Sequence, residues 1–88
     1  MKIKEGFVIR EVAGTFLALA TGDLSKVYNG SITLNSSAKF IFDCFSVDTT
    51  KEEVVEKMLE NFEDLDEATA SEAVDEFIAK LKEENLID

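Results

Sequence analysis

The groups with which this 88-residue chain could do chemistry are nineteen carboxylates, nine Lys and Arg and one cysteine; there is no histidine. Without His, the commonest general acid–base near neutral pH and the commonest transition-metal ligand are both missing. Cys44 stands alone, so neither an internal disulfide nor a cysteine metal cluster can form. A cysteine nucleophile needs a depressed pKa, and with no His to depress it Cys44 reads as a small core residue. The carboxylates recur at helical spacing: Glu52, Glu53, Glu56, Glu60, Glu63 and Asp64 in one segment, Glu72, Asp75, Glu76, Glu83 and Glu84 in another. That spacing spreads them over solvated helix surfaces and does not converge a pair on one reacting bond. A second reading makes them an acidic docking face for a basic patch on a larger protein. Phosphate loops, dinucleotide fingerprints, nucleophile elbows and zinc signatures are absent from the sequence. No catalytic residue, metal ligand or cofactor is therefore assigned.

Composition narrows the field further. The net charge of −10 opposes nucleic-acid binding, which rests on cations that neutralise phosphates, and it opposes anionic membrane surfaces in the same way. No apolar run approaches the roughly 18 residues of a membrane span. The opening residues alternate like a strand and lack a signal peptide's unbroken apolar stretch, so a cytoplasmic location is expected. With 45% hydrophobic residues, no Pro and four Gly, the chain reads as one ordered domain spanning residues 1–88.

The elements that must position any site follow from periodicity. Phe7–Val12 and Thr15–Ala20 are β-rich runs separated by Ala13-Gly14, a hairpin in which Val12 faces Thr15, Arg10 faces Leu17 and Val8 faces Leu19. Both faces of that hairpin are substantially apolar, apart from Arg10 and Glu11 near the turn, so one should meet the helices and the other be partly exposed or covered by a partner. After a polar loop at Thr21–Lys26, a third strand is expected from Val27 or Tyr28 through Leu34, with Asn29-Gly30 as a kink or bulge. A meander of three strands leaves the third on an open edge.

Three helices are expected next. Asn35-Ser36-Ser37 caps the first, whose Ala38, Ile41, Phe42 and Phe45 share a face while Phe40 and Cys44 lie off it; this helix should be central. Thr49 with Glu52, or Thr50 with Glu53, opens the second as a capping box, with Val54, Val55, Met58, Leu59 and Phe62 facing inward. The third begins near Asp66, buries Ala70, Ala73, Val74, Phe77, Ile78 and Leu81, and ends at Asn85, with Leu86-Ile87 folding back. The expectation is an α+β domain of winged helix-turn-helix-like form, a three-stranded antiparallel sheet followed by three helices.

A winged helix normally reads DNA with Arg, Lys, Asn or Gln from its recognition helix. Here the two candidate helices are acidic, so DNA reading ranks below protein docking. Acyl carriers are also small and acidic, but they carry their prosthetic group on an Asp-Ser-Leu motif. This chain has Asp23-Leu24-Ser25, the wrong order, and its β-rich start does not fit an all-helical bundle.

The run Tyr28-Asn29-Gly30-Ser31-Ile32-Thr33-Leu34-Asn35-Ser36-Ser37-Ala38-Lys39-Phe40-Ile41-Phe42 resembles the signature of the coenzyme PQQ synthesis protein D family. That signature has an aromatic-Asn-Gly lead and a Leu-Asn pair entering a helix. Thr49–Val55, Asp75–Leu81 and Leu86-Ile87 resemble its later helices and ending, in the same order. Phe42 stands where many relatives carry Trp. The resemblance implies a non-catalytic peptide recognition element, which binds the leader segment of a ribosomally made precursor and presents it to a modifying enzyme, often of the radical S-adenosylmethionine type. In that family the leader adds as a strand beside the third strand, against the third long helix. By position, Tyr28, Ile32, Thr33 and Leu34 would form the edge, and Val74, Ile78, Leu81 and Lys82 the facing wall. Leu34, Val74 and Leu81 fit a place in the core equally well. Backbone pairing with an open edge would supply affinity and alternate side chains specificity. The acidic helices would suit a basic leader or a basic face on the enzyme. The same edge permits self-pairing, which would give a homodimer through the third strand.

Overall fold

The computed structural model describes residues 1–28 and 30–87. Its elements run β1 (Phe7–Val12), β2 (Thr15–Ala20), α1 (Leu24–Val27), β3 (Ser31–Leu34), α2 (Ser36–Cys44), α3 (Lys51–Asn61) and α4 (Glu67–Glu83). The strands form one antiparallel sheet in the order β1-β2-β3, and the helices after β3 cover one of its faces. This is the α+β architecture expected from the sequence. The hairpin register also follows the expectation, with Val12 opposite Thr15, Arg10 opposite Leu17 and Val8 opposite Leu19. Ala13 and Gly14 both take positive φ, 53° and 79°, the pair of left-handed residues that lets a two-residue turn match strand twist.

The third strand starts later than expected. Val27 belongs to α1, a single helical turn, and Tyr28 precedes the strand, which begins at Ser31. Gly22 sits at φ 58°, and its carbonyl accepts both the amide and the hydroxyl of Ser25. That local bonding turns the chain into α1 and drops Leu24 into the core. The β-rich look of Val27-Tyr28 is overridden by the polar turn before it. Asn29, half of the expected kink, lies outside the described residues. Gly6, at φ 116°, is the other side of this corner: a Cβ there would stand 2.9 Å from the Leu24 Cβ.

The helix starts are chemically specified. Asn35, Thr50 and Asp66 each accept a hydrogen bond from the amide three residues on, at 2.8, 3.2 and 2.7 Å. Thr50 is thus the cap of α3, while Thr49 is buried and donates its hydroxyl to the Glu53 carboxylate at 3.1 Å. The amide at Thr69 holds the Asp66 carboxyl below its usual pKa. At the far end of α4, Asn85 adopts φ 59° and the Leu86 amide returns to the Leu81 carbonyl at 2.8 Å. Leu86 and Ile87 are buried, and Ile87 pairs with Ile3 in an isolated antiparallel bridge.

The core lies between the inner sheet face and the helices. Phe45 is fully buried and stacks on Phe77 at 6.4 Å between centroids, and Phe77 meets Phe42 edge-on. Helix α2 is packed on more than one side, since Phe40, off its main stripe, sets its ring edge-on to Phe62 at 5.2 Å. Leu59 departs from expectation, being 36% exposed. At 100° per residue it lies roughly 80° from the middle of the stripe that Val54, Val55, Met58 and Phe62 define, at the margin of what a neighbour can cover.

Phe45→Ala should cost about 3–5 kcal/mol, a large share of the ~5–15 kcal/mol that holds a small domain together; urea unfolding followed by circular dichroism measures it. Asp66 carries a linked pH effect. Its carboxyl titrates lower when folded, so its contribution is present above its unfolded value near ~4 and is lost as pH falls through the folded value. Asp66→Ala should flatten that part of the stability–pH curve, and a curve of unchanged shape would refute the cap's role.

Candidate functional site

The sheet has one edge where backbone polar groups face a groove. In a two-residue hairpin the pair beside the turn is hydrogen-bonded, and bonded pairs then alternate along the ladder. The Thr21 amide donating to the Gly6 carbonyl at 2.7 Å lies in that same phase. Residues 15, 17, 19 and 21 of the second strand therefore bond toward β1, and Phe16 and Ala18 bond toward β3. Their partners there are Leu34 and Ile32. By the same alternation, the backbone N–H and C=O of Ser31 and Thr33 are directed away from β2, out of the sheet.

Beside that edge runs a groove of about 260 Å³. The strand contributes Ile32, Thr33 and Leu34, and the start of α2 contributes Asn35, Ser37, Ala38 and Ile41. The opposite wall is α4, with Ala73, Glu76, Phe77, Lys80 and Leu81. The strand is apolar where it faces in, since Ile32 and Leu34 are buried, while Ser31 and Thr33 are exposed. A cavity of ~150 Å³ lined by apolar side chains accepts a benzene ring, so this groove has room for one aromatic and one smaller side chain. Glu76 and Lys80 stand one turn apart on the wall, and neither forms an ion pair within the chain among the described residues.

The structure divides the residues expected at the site. Ile32, Thr33, Leu34 and Leu81 line the groove. Val74 is fully buried and Ile78 buried; both face the core behind the wall. Tyr28 packs edge-on against Phe7 at 6.2 Å, away from the groove, and Lys82 is exposed outside it. The wall is instead the stripe 73, 76, 77, 80 with Leu81 at its margin, rotated from Val74 and Ile78 by about one residue, or ~100°. A signal for it exists in the sequence: Ala73, a small residue one turn before Glu76 and Phe77 on the same face, leaves room where a bulky one would close the groove. The polar residues Asn35 and Ser37 double as helix-start and groove-lining residues.

Cys44 is half-buried, and burial pushes its thiol pKa up, with Asp43 adding to that and Lys57 opposing it. It is held as a thiol and not as a nucleophilic thiolate. Among the described residues no group of three His, Cys, Asp or Glu side chains is gathered as for a metal ion, and no helix is long and apolar enough to cross a membrane.

The sequence model of coenzyme PQQ synthesis protein D matches residues 9–87. By structure, the chain is similar to TbiB1 solved in complex with the TbiA(beta) leader peptide, with a TM-score of 0.75 and 18% identity, covering 100% of this chain and 95% of that one. None of the curated proteins matches it by sequence.

If the groove is open space, filling it should not strain the fold. Ala73→Leu is expected to keep the urea midpoint of the native chain, whereas Ala70→Leu, at a fully buried site on the same helix, should lose about 1–3 kcal/mol. Equal losses at both would mean the wall is packed and not open.

Proposed function

The chain belongs to the coenzyme PQQ synthesis protein D family, and from that membership we propose that it is a non-catalytic module that takes up the leader segment of a ribosomally made precursor peptide. The leader adds as a fourth strand beside β3, using the outward amides and carbonyls of Ser31 and Thr33, and its alternate side chains enter the groove before α4. The observation that carries this reading is the coincidence of the two features: outward backbone groups and an apolar groove occupy the same edge. Strand addition needs both, the first for affinity and the second for specificity. TbiB1, which shares the fold, is in complex with a leader peptide, and that supports the same reading here. Of the residues expected at the site, Ile32, Thr33, Leu34 and Leu81 make contact; Val74 and Ile78 support the wall from behind.

The module presents its peptide to a separate modifying enzyme, of the radical S-adenosylmethionine type in this proposal, and supplies no reacting group of its own. Self-pairing of two β3 edges would occupy the same backbone groups, so a homodimer of that kind would compete with the peptide. An acidic docking module without a peptide is the rival reading, favoured by the carboxylates on α3 and α4.

The first test is an NMR titration with short precursor-like peptides encoded beside the gene. Shifts concentrated on Ser31–Leu34 and on the 73–81 stretch of α4 are expected; none with any such peptide would sink the leader role and leave the docking module. Thr33→Pro is the sharper probe. Its lost N–H is one that the β2–β3 ladder does not use, so the fold should survive, as prolines do on edge strands, while peptide affinity falls. Retained affinity in a folded Thr33→Pro would rule out strand addition. If the leader is basic, its affinity should drop from low to high salt; salt-independent binding would leave the net charge a role in solubility alone.

A further inference from the structure

Antiparallel sheets covered by helices on one face usually show polar residues on the other. This sheet does so only at its margins, where Thr15, Ser31 and Thr33 lie; its middle, Arg10 apart, is aliphatic. The register puts Val8, Arg10 and Val12 of β1 beside Leu17 and Leu19 of β2 on the face turned away from the helices. Val8 is 41% and Val12 57% exposed, and Leu17 and Leu19 are only half-buried. Arg10 occupies the middle of this patch: Leu17 stands directly opposite, and Val8 and Val12 are its same-face neighbours along the strand. It pairs with no carboxylate among the described residues.

Charge sets this face apart from the rest of the molecule. Residues 1–50 hold five cations and five anions, whereas residues 51–88 hold four cations and fourteen anions. The whole net charge of −10 thus belongs to the part that contains α3 and α4, and the part that contains the sheet is neutral. An unpaired guanidinium ringed by aliphatic side chains has the composition of an interface anchor: Arg is enriched at such centres, and surrounding apolar groups exclude water from the charge. What it lacks is a carboxylate.

We propose that the outer sheet face centred on Arg10 docks a second protein, one presenting an apolar patch with a carboxylate at its middle. Given the proposed function, on which this identification of the partner rests, that protein is the enzyme that modifies the peptide. A second copy of the chain fits poorly, because the outer-face positions of β1 and β2 carry no carboxylate to meet a partner's Arg10. An anionic lipid surface fits poorly because the ten surplus negative charges repel it. The geometry has a further implication. A leader strand added at β3 would extend this same sheet, placing every second leader side chain on the outer face, in line with Thr33 and Leu17. The docked enzyme would then touch the module and the loaded peptide together, and each should raise the other's affinity.

The experiment uses the purified modifying enzyme encoded beside the chain, with affinities measured separately for enzyme and for peptide. Arg10→Glu is expected to weaken enzyme binding by about 30-fold, the size of an interface hot spot, with Leu17→Ser also weakening it and peptide affinity to the isolated module unchanged. Thr33→Pro should show the reverse, losing peptide and keeping the enzyme. A wild-type chain that binds enzyme through Arg10 but no peptide would sink the leader role while leaving this face intact. The proposal is overturned if folded Arg10→Glu and Leu17→Ser bind enzyme as the native chain does, or if the enzyme does not bind at all. It is equally overturned if the dependence on Arg10 appears instead in self-association by sedimentation or in binding to vesicles containing phosphatidylserine.

Discussion

Two adjacent residues with positive φ, Ala13 and Gly14, set the parity of every position in the β1–β2 hairpin on which the third strand is laid. A two-residue turn fixes which pair closes the hairpin, and strict alternation then decides which backbone groups bond toward which neighbour and which side chains face the helices. From that constraint follow the burial of Ala18 and the exposure of Val8, and the β2–β3 register adds the burial of Ile32 and Leu34, the exposure of Thr33 and the outward direction of the Ser31 and Thr33 backbone. One residue more or fewer in the turn would send the aliphatic set of β1 to the helices and Phe7 and Ile9 to solvent. The groove and the outer face are consequences of two registers that share β2.

The second constraint is that β3 is short and paired on one side only. Four residues leave little exposed edge, which limits unintended pairing between copies, and α4 stands beside the edge as a partial cover. The result is a compromise between hiding and offering the strand. The wall of α4 keeps its bulk one stripe back, with Val74 and Ile78 in the core and Ala73 at the rim, so the cover does not close.

Much of this was legible in the sequence because local chemistry and hydrophobic period agreed. Ala13-Gly14 between two β-rich runs specified the hairpin and its register. Asn35, Thr50 and Asp66 announced their helices by residue type, and Asn85 marked a stop that the positive φ explains. The failures arose where two signals competed. Val27 and Tyr28 have strand-forming side chains, yet the Gly22–Ser25 turn bonds carry them into α1 and the segment after it. At the groove, helical period identifies what faces the core far better than what faces a cavity beside it. Val74 and Ile78 have the spacing of inner residues, which does not distinguish core from groove wall, while Glu76 and Lys80 look like any solvated pair. A cavity is an absence of side chains between two elements, and the relative placement of two elements is not written in the period of either.

The meeting of the chain's two ends adds something of a different kind. Ile3 bridges Ile87, the Lys4 amide donates to the Leu86 carbonyl at 2.9 Å, and Ile3 also reaches the Phe45 carbonyl. Entry and exit thus lie side by side, stitched to each other and to the core. A unit built this way can be spliced as a cassette into a loop of a larger polypeptide, because the host needs to open a gap only about as wide as two neighbouring strands, ~5 Å.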